Sequence, residues 1–159
     1  QLAYYLEALE KSLKFNHNDL KINNIFYKAS SRKNIISKEL EYEFYISDFG
    51  FSRIEIFNEV ISYNNKKFVS GKDLYFLIHN IYTFSNDSFI KSEIKFFCKD
   101  IIGYFNETIT LNKKKWMNIY KEKNKNYNLY EPSNIINNIK NSYFINMIYQ
   151  KKVKTIKNI

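Results

Sequence analysis

Arginine, glycine, proline and cysteine are almost missing from this chain of 159 residues. It has 3 glycines, 1 proline and 1 cysteine, and Arg32 and Arg53 are its only guanidinium side chains. So little Gly and Pro excludes a turn-rich, all-β architecture. A lone Cys98 excludes an intrachain disulfide and gives no sign of an oxidising compartment. No apolar run approaches the ~18 residues of a membrane-spanning helix, and no signal-peptide pattern opens the chain. An intracellular location is therefore expected. The initiator methionine is also missing, which points to a piece of a longer or processed polypeptide.

Hydrophobic residues make up 45% and charged residues 26%, a globular balance with enough length for one cored domain. The chain holds 22 Asn, 23 Ile and 23 Lys beside 14 Tyr and 14 Phe. All five have AT-rich codons, so the bias reads as a genome signature, with a virus among the expected sources. The net charge of +9 raises nucleic acid as a partner. Its distribution narrows that reading. Residues 1–110 carry 14 basic and 14 acidic side chains, whereas residues 111–159 carry 11 Lys against Glu122 and Glu131. Lys113, Lys114 and Lys115 with Trp116, then Tyr120, Lys121, Lys123, Lys125 and Tyr127, interleave cations and rings as single-strand binders do. Codon bias competes with that reading of the 111–159 region.

Leu2, Tyr5, Leu6, Leu9 and Leu13 recur at helical spacing, which predicts an amphipathic helix over 1–14. Ile25–Tyr27 and Phe44–Ile46 read as strands of a hairpin, with polar residues 29–41 as its loop. Residues 51–72 are mixed, with a turn signal at Asn64–Asn65. Asp73 then caps a buried helix from Leu74 to Phe84. Ser88–Phe105 has helical periodicity. Trp116, Ile119 and Tyr120 suggest a short helix. Pro132 opens a last helix with Ile135, Ile136, Ile139, Phe144 and Ile145 on its apolar side. The expected class is mainly α with a small β-hairpin.

The chemistry is concentrated at two places. His17-Asn18-Asp19-Leu20-Lys21-Ile22-Asn23-Asn24 lies between the first helix and the first strand. Ser47-Asp48-Phe49-Gly50 follows the second strand. Asp19 and Asp48 thus flank a hairpin and converge at one end of it. Phosphoryl transfer needs a base for a hydroxyl proton, oxygen ligands for Mg²⁺ and a cation for developing phosphate charge. Asp19, the pair Asn24 and Asp48, and Lys21 suit those roles in that order.

These motifs resemble the eukaryotic-type protein kinases. Residues 17–24 are similar to the catalytic loop H-R-D-L-K-x-x-N, departing from it at Asn18, and residues 48–50 match D-F-G fully. Asp73 resembles the aspartate that opens the central helix of the kinase C-lobe and holds the catalytic-loop backbone. The likeness covers about residues 1–105. It implies a C-lobe core over 1–110, with 111–159 as a Lys-rich helical part of the same lobe. It further implies Asp19 as base, Lys21 at the transferring phosphoryl, and ATP with Mg²⁺ held by Lys21, Asn24 and Asp48. His17, Phe49, Gly50 and Asp73 become structural residues, and a protein hydroxyl becomes the substrate.

The departures are informative. The chain has no N-lobe, and Gly50, Gly71 and Gly103 cannot form a Gly-rich loop, so that lobe is expected in cis or in trans. Asn18 replaces the arginine that pairs with a phosphorylated activation loop, which removes the cation that pairing needs. The segment from Asp48 to Asp73 is short and lacks A-P-E. The connection from Asn24 to Asp48 is longer than usual by roughly ten residues, a solvated insertion. Lys21 favours a serine/threonine kinase. The competing expectations are a pseudokinase scaffold or virion protein, and a small-molecule kinase of the aminoglycoside phosphotransferase kind. His79 is expected as a satisfied core histidine and Cys98 as a buried apolar residue. Arg53 is expected either at a phosphate or at the surface.

Overall fold

A computed structural model describes residues 1–33, 40–105 and 126–141. The expected helix around Trp116 and most of the Lys-rich 111–159 region lie outside the described residues, as do Phe144 and Ile145.

The first helix, α1 (Leu2–Leu13), buries Leu6 and Glu10. Tyr5, placed on the apolar face by periodicity, is 54% exposed. Glu10 takes the inner position instead. Its carboxylate accepts from Ser70 Oγ at 2.6 Å and from the Gly71 N–H at 3.2 Å. Burial raises its pKa despite those bonds. The helix stops at Lys14, which adopts the left-handed conformation at φ 41° and returns its N–H to the carbonyls of Leu9 and Glu10.

Two antiparallel hairpins follow. Strands β1 (Ile25–Lys33) and β2 (Leu40–Ile46) pair Ile25 with Ile46 and Tyr27 with Phe44. Of the expected loop at 29–41, residues 29–33 and 40–41 are strand instead, and residues 34–39 lie outside the described residues. Strands β3 (Arg53–Ile56) and β4 (Glu59–Ser62) form the second hairpin, pairing Arg53 with Ser62 and Ile56 with Glu59. It occupies the stretch that read as mixed sequence. Its two-residue turn, Phe57-Asn58, has φ 51° and 68°, the twist a tight hairpin needs. Phenylalanine in place of the usual Asn or Gly hid that turn.

Helix α2 (Lys72–Phe84) is the centre of the molecule, burying Leu74, Tyr75, Phe76 and Leu77 with four polar or aromatic neighbours. Its N-cap is Gly71, not Asp73, which sits in the first turn. Helix α3 (Ser88–Phe97) is capped by the Asp87 carboxylate, which accepts from the Phe89 N–H at 2.8 Å. It ends earlier than its periodicity predicted and loosens into a wide turn over Cys98–Ile102. The helix Pro132–Asn141 closes the described chain and buries Pro132, Ile135 and Ile136. The core joins Leu6, Phe15, Leu20, the inner face of α2, Cys98, Ile101, Tyr130 and Ile135. Burying a side chain of that size is worth about 1.5–3 kcal/mol. Among the described residues, no helix is long and apolar enough to cross a membrane.

Gly71 is a fixed point of this packing. Its φ is 74°, and a Cβ there would run into the Tyr127 carbonyl oxygen and stand 2.7 Å from the Glu131 nitrogen. Gly71→Ala is expected to cost about 2 kcal/mol or more, from left-handed strain plus overpacking. A urea midpoint equal to that of the wild type would refute this.

His79 is buried in α2, as expected. Its Nε2 lies 3.4 Å from Tyr130 Oη and its ring stacks on Phe105 at 5.3 Å. Tyr75 packs against it at 4.4 Å. Its Nδ1 has no hydrogen-bond partner among the described residues. Burial pushes its pKa down from 6.5 to about 4. The folded state thus binds the proton less readily than the unfolded state. The stability is complete above pH 6.5 and falls by about 3 kcal/mol as the pH drops to about 4. Burial raises the Asp73 pKa and gives the opposite slope at low pH. His79→Phe is therefore compared with wild type at pH 7 and pH 5. It is expected to flatten the loss, and an unchanged profile would refute it. Burial likewise pushes the Cys98 thiol up to about 12, as befits an inert core thiol.

Candidate active site

The site begins with a buried run, Phe15 to Asn18, at the end of α1. Buried backbone in a loop needs partners, and the chain supplies them from three directions. Asn16 exchanges backbone hydrogen bonds with Arg53 at 2.8 and 2.9 Å. The Asn16 side chain donates to the Val69 carbonyl at 3.0 Å and accepts from the Val69 N–H at 2.8 Å. Asp73, fully buried at 0% exposure, completes the clamp. Its carboxylate accepts from the His17 N–H at 2.8 Å, the Asn18 N–H at 2.9 Å and Asn16 Nδ2 at 3.3 Å.

His17 ties this loop to the end of β2. Its Nε2 donates to the Ser47 carbonyl at 2.7 Å, which leaves Nδ1 to accept from the Asp19 N–H at 3.3 Å. Its ring lies 5.3 Å from Phe49, which also touches Phe15. Phe49 remains 53% exposed. Asn18 takes φ 66°. Asparagine tolerates that left-handed conformation better than most residues.

The clamp aims three functional groups at one another. Lys21 Nζ lies 2.7 Å from Asp19 Oδ2. Asn24 Nδ2 donates to the Asp19 carbonyl at 3.0 Å and reaches Asp19 Oδ2 at 3.5 Å. Asn80 anchors the loop from α2 by accepting the Ile22 N–H at 3.0 Å. The Ser47 N–H donates to the Asn24 carbonyl at 2.9 Å, so Asp48 stands at the same end of the hairpin as Asn24. Asp48 is also left-handed, at φ 62°. Its carboxylate is exposed and has no hydrogen-bond partner among the described residues. Lys14, Phe57, Asn58 and Asn64 share that left-handed conformation among the described non-glycine residues, at a helix end and in turns. A methyl at Gly50 would meet Asp48 Oδ1 at 3.6 Å, an ordinary contact, so steric fit alone does not demand glycine there.

Among the described residues, Asn24 uses its Nδ2 on Asp19 and neither Asn24 Oδ1 nor the Asp48 carboxylate accepts a hydrogen bond, so both remain hard oxygen donors. Two such donors suit Mg²⁺, which takes its remaining ligands from phosphates and water. Among the described residues, no group of three or more His, Cys, Asp or Glu converges as a closed protein metal site would.

Arg53 corrects the surface alternative. It is buried at 6% exposure, donating to the Lys14 carbonyl at 2.8 Å and to Glu55 Oε2 at 2.8 Å. Those bonds commit two of its guanidinium nitrogens to structure. Asn16, Lys72 and Asn80 escaped the sequence reading. Asparagine is too common here to stand out, and the spacing of Asn16 and Asn80 from Asp73 becomes meaningful only in three dimensions.

No family model, curated protein or solved structure matches this chain.

Proposed function

We propose that this chain is the catalytic lower lobe of a serine/threonine protein kinase. The γ-phosphoryl of ATP is transferred to a protein hydroxyl. The P–O bond to ADP breaks, a new P–O bond forms, and the hydroxyl proton passes to Asp19. Lys21 faces the developing phosphoryl charge. Asn24 and Asp48 are the donors for Mg²⁺, whose chemistry is to neutralise phosphate charge.

One observation carries the reading. The Asp73 carboxylate holds two successive N–H groups of the loop that presents Asp19, Lys21 and Asn24. The resemblance to protein kinases asks for that bond between two sequence positions far apart in the chain. A chance assembly of Asp and Asn motifs has no reason to make it.

The test is incubation of the full-length protein with labelled ATP, Mg²⁺ and a protein acceptor. Label is expected on serine or threonine. Label confined to a sugar or choline would replace this reading with a small-molecule kinase.

A scaffold that has lost catalysis is the second reading. It is favoured by the half-exposed Phe49. Against it stands the retained geometry of Asp19, Lys21 and Asn24, since a scaffold does not need these side chains within hydrogen-bond reach of one another.

A further inference from the structure

Asn80 is a buried polar side chain inside an apolar helix. It is 4% exposed, and asparagine is a weak helix former. A buried amide costs stability unless it is bonded. The described bond of this side chain leaves the helix: Oδ1 accepts the Ile22 N–H at 3.0 Å. Ile22 opens a single helical turn, Ile22–Asn24. The first N–H groups of such a turn find no partner within it, and its N-cap residue, Lys21, makes no capping bond with its side chain. The Ile22 side chain is 50% exposed, so burial of that residue does not hold the turn. Asn80 supplies from α2 the cap that the turn lacks. Asp73 and Asn80 lie on one face of α2, about 10 Å apart along its axis. Asp73 takes the His17 and Asn18 N–H groups ahead of Asp19. Asn80 takes the Ile22 N–H just after Lys21. One helix thus holds the stretch from Asp19 to Lys21 at both ends.

We propose that Asn80 is a positioning residue for phosphoryl transfer, fixing through the Ile22 N–H the turn that sets Lys21 and Asn24 against Asp19. The reaction it serves rests on the kinase reading above. The turn closes where the Asn24 N–H donates to the Lys21 carbonyl at 2.9 Å. Lys21 Nζ then stands 2.7 Å from Asp19 Oδ2, and Asn24 Nδ2 donates to the Asp19 carbonyl at 3.0 Å. That last bond commits Nδ2 and leaves Oδ1 as the donor for Mg²⁺. Without the cap the turn is free to rotate at Ile22, which carries Lys21 and Asn24 off register together. Misplacing a reacting group by about 1 Å costs up to ~10²-fold in rate. Asn80 bonds to backbone, so its effect on the reaction passes through the loop. Its signature is a weaker hold on Mg²⁺ as well as a slower transfer.

The test is steady-state transfer by the full-length protein at rising free Mg²⁺, in wild type, Asn80→Leu and Asn80→Asp. Deuterium exchange at the Ile22 amide is followed on the same samples. Leucine has the branching of asparagine and a better helix propensity but no acceptor, whereas aspartate keeps the acceptor. Asn80→Leu is expected to lower kcat ~10-fold or more, to raise the Mg²⁺ needed for half-maximal rate several-fold, and to speed exchange at Ile22. Asn80→Asp restores most of the rate, the Mg²⁺ requirement and the protection. A slower Asn80→Leu with an unchanged Mg²⁺ requirement and no rescue by aspartate assigns Asn80 to folding alone and overturns the proposal. Wild-type exchange at Ile22 in Asn80→Leu overturns it too. Intact transfer by wild type with equal kinetics in Asn80→Leu sinks the positioning role and leaves the kinase reading standing. Absent transfer by the wild type sinks the kinase reading, and the positioning role falls with it.

Discussion

Asp73→Ala is expected to destabilise the chain by about 3–5 kcal/mol, the range for removing one partner from a buried charged network. The carboxylate is fully buried and holds the His17 and Asn18 N–H groups at 2.8 and 2.9 Å. Alanine leaves both donors buried and unpaired. Burial raises the pKa of this group, and the backbone bonds from His17 and Asn18 pull it back. Asp73→Asn keeps one acceptor oxygen in place and is expected to cost less than the alanine change. Urea unfolding of the two variants at pH 7 measures the difference. A loss below about 1 kcal/mol for Asp73→Ala would mean that the loop is held by something else.

Asp48→Ala is expected to lower phosphoryl transfer by the full-length protein at least ~10²-fold, the scale for removing one element of an electrostatic clamp on a transferring group. Its stability is expected to change by less than about 0.5 kcal/mol, since Asp48 is exposed and makes no described hydrogen bond. That split separates a site residue from a structural one. Asp73→Ala acts through folding and Asp48→Ala through chemistry. Equal transfer by wild type and Asp48→Ala would remove Asp48 from the site.

The local periods read from the sequence placed α1, α2, the first hairpin and the helix after Pro132. Each of these depends on side chains close in the chain. The second hairpin was not legible, because its turn is Phe57-Asn58 at positive φ and its strands are only four residues each. Glu10 could not be read as buried, because what draws it inward is the Ser70 hydroxyl and the Gly71 N–H, sixty residues away. At the site, the motif residues His17, Asp19, Lys21, Asn24 and Asp48 were nameable from spacing. Asn18 read only as a departure from a pattern, yet its side chain joins Lys72 to Phe51. Arg53 read as a surface or phosphate-facing cation and proved to be a buried strut. Single residues declare their chemistry in the sequence, but bridges between distant residues do not.

The most direct measurement is a thermal-shift titration of the full-length protein with Mg-ATP, run beside Asp48→Ala and beside ATP with EDTA. If Asn24 and Asp48 hold a metal–nucleotide complex, the wild type gains about 2.7 kcal/mol at a hundredfold excess over Kd, and both controls lose most of that gain. No stabilisation at millimolar Mg-ATP, or the same stabilisation in Asp48→Ala, would contradict a phosphotransferase site at this end of the hairpin.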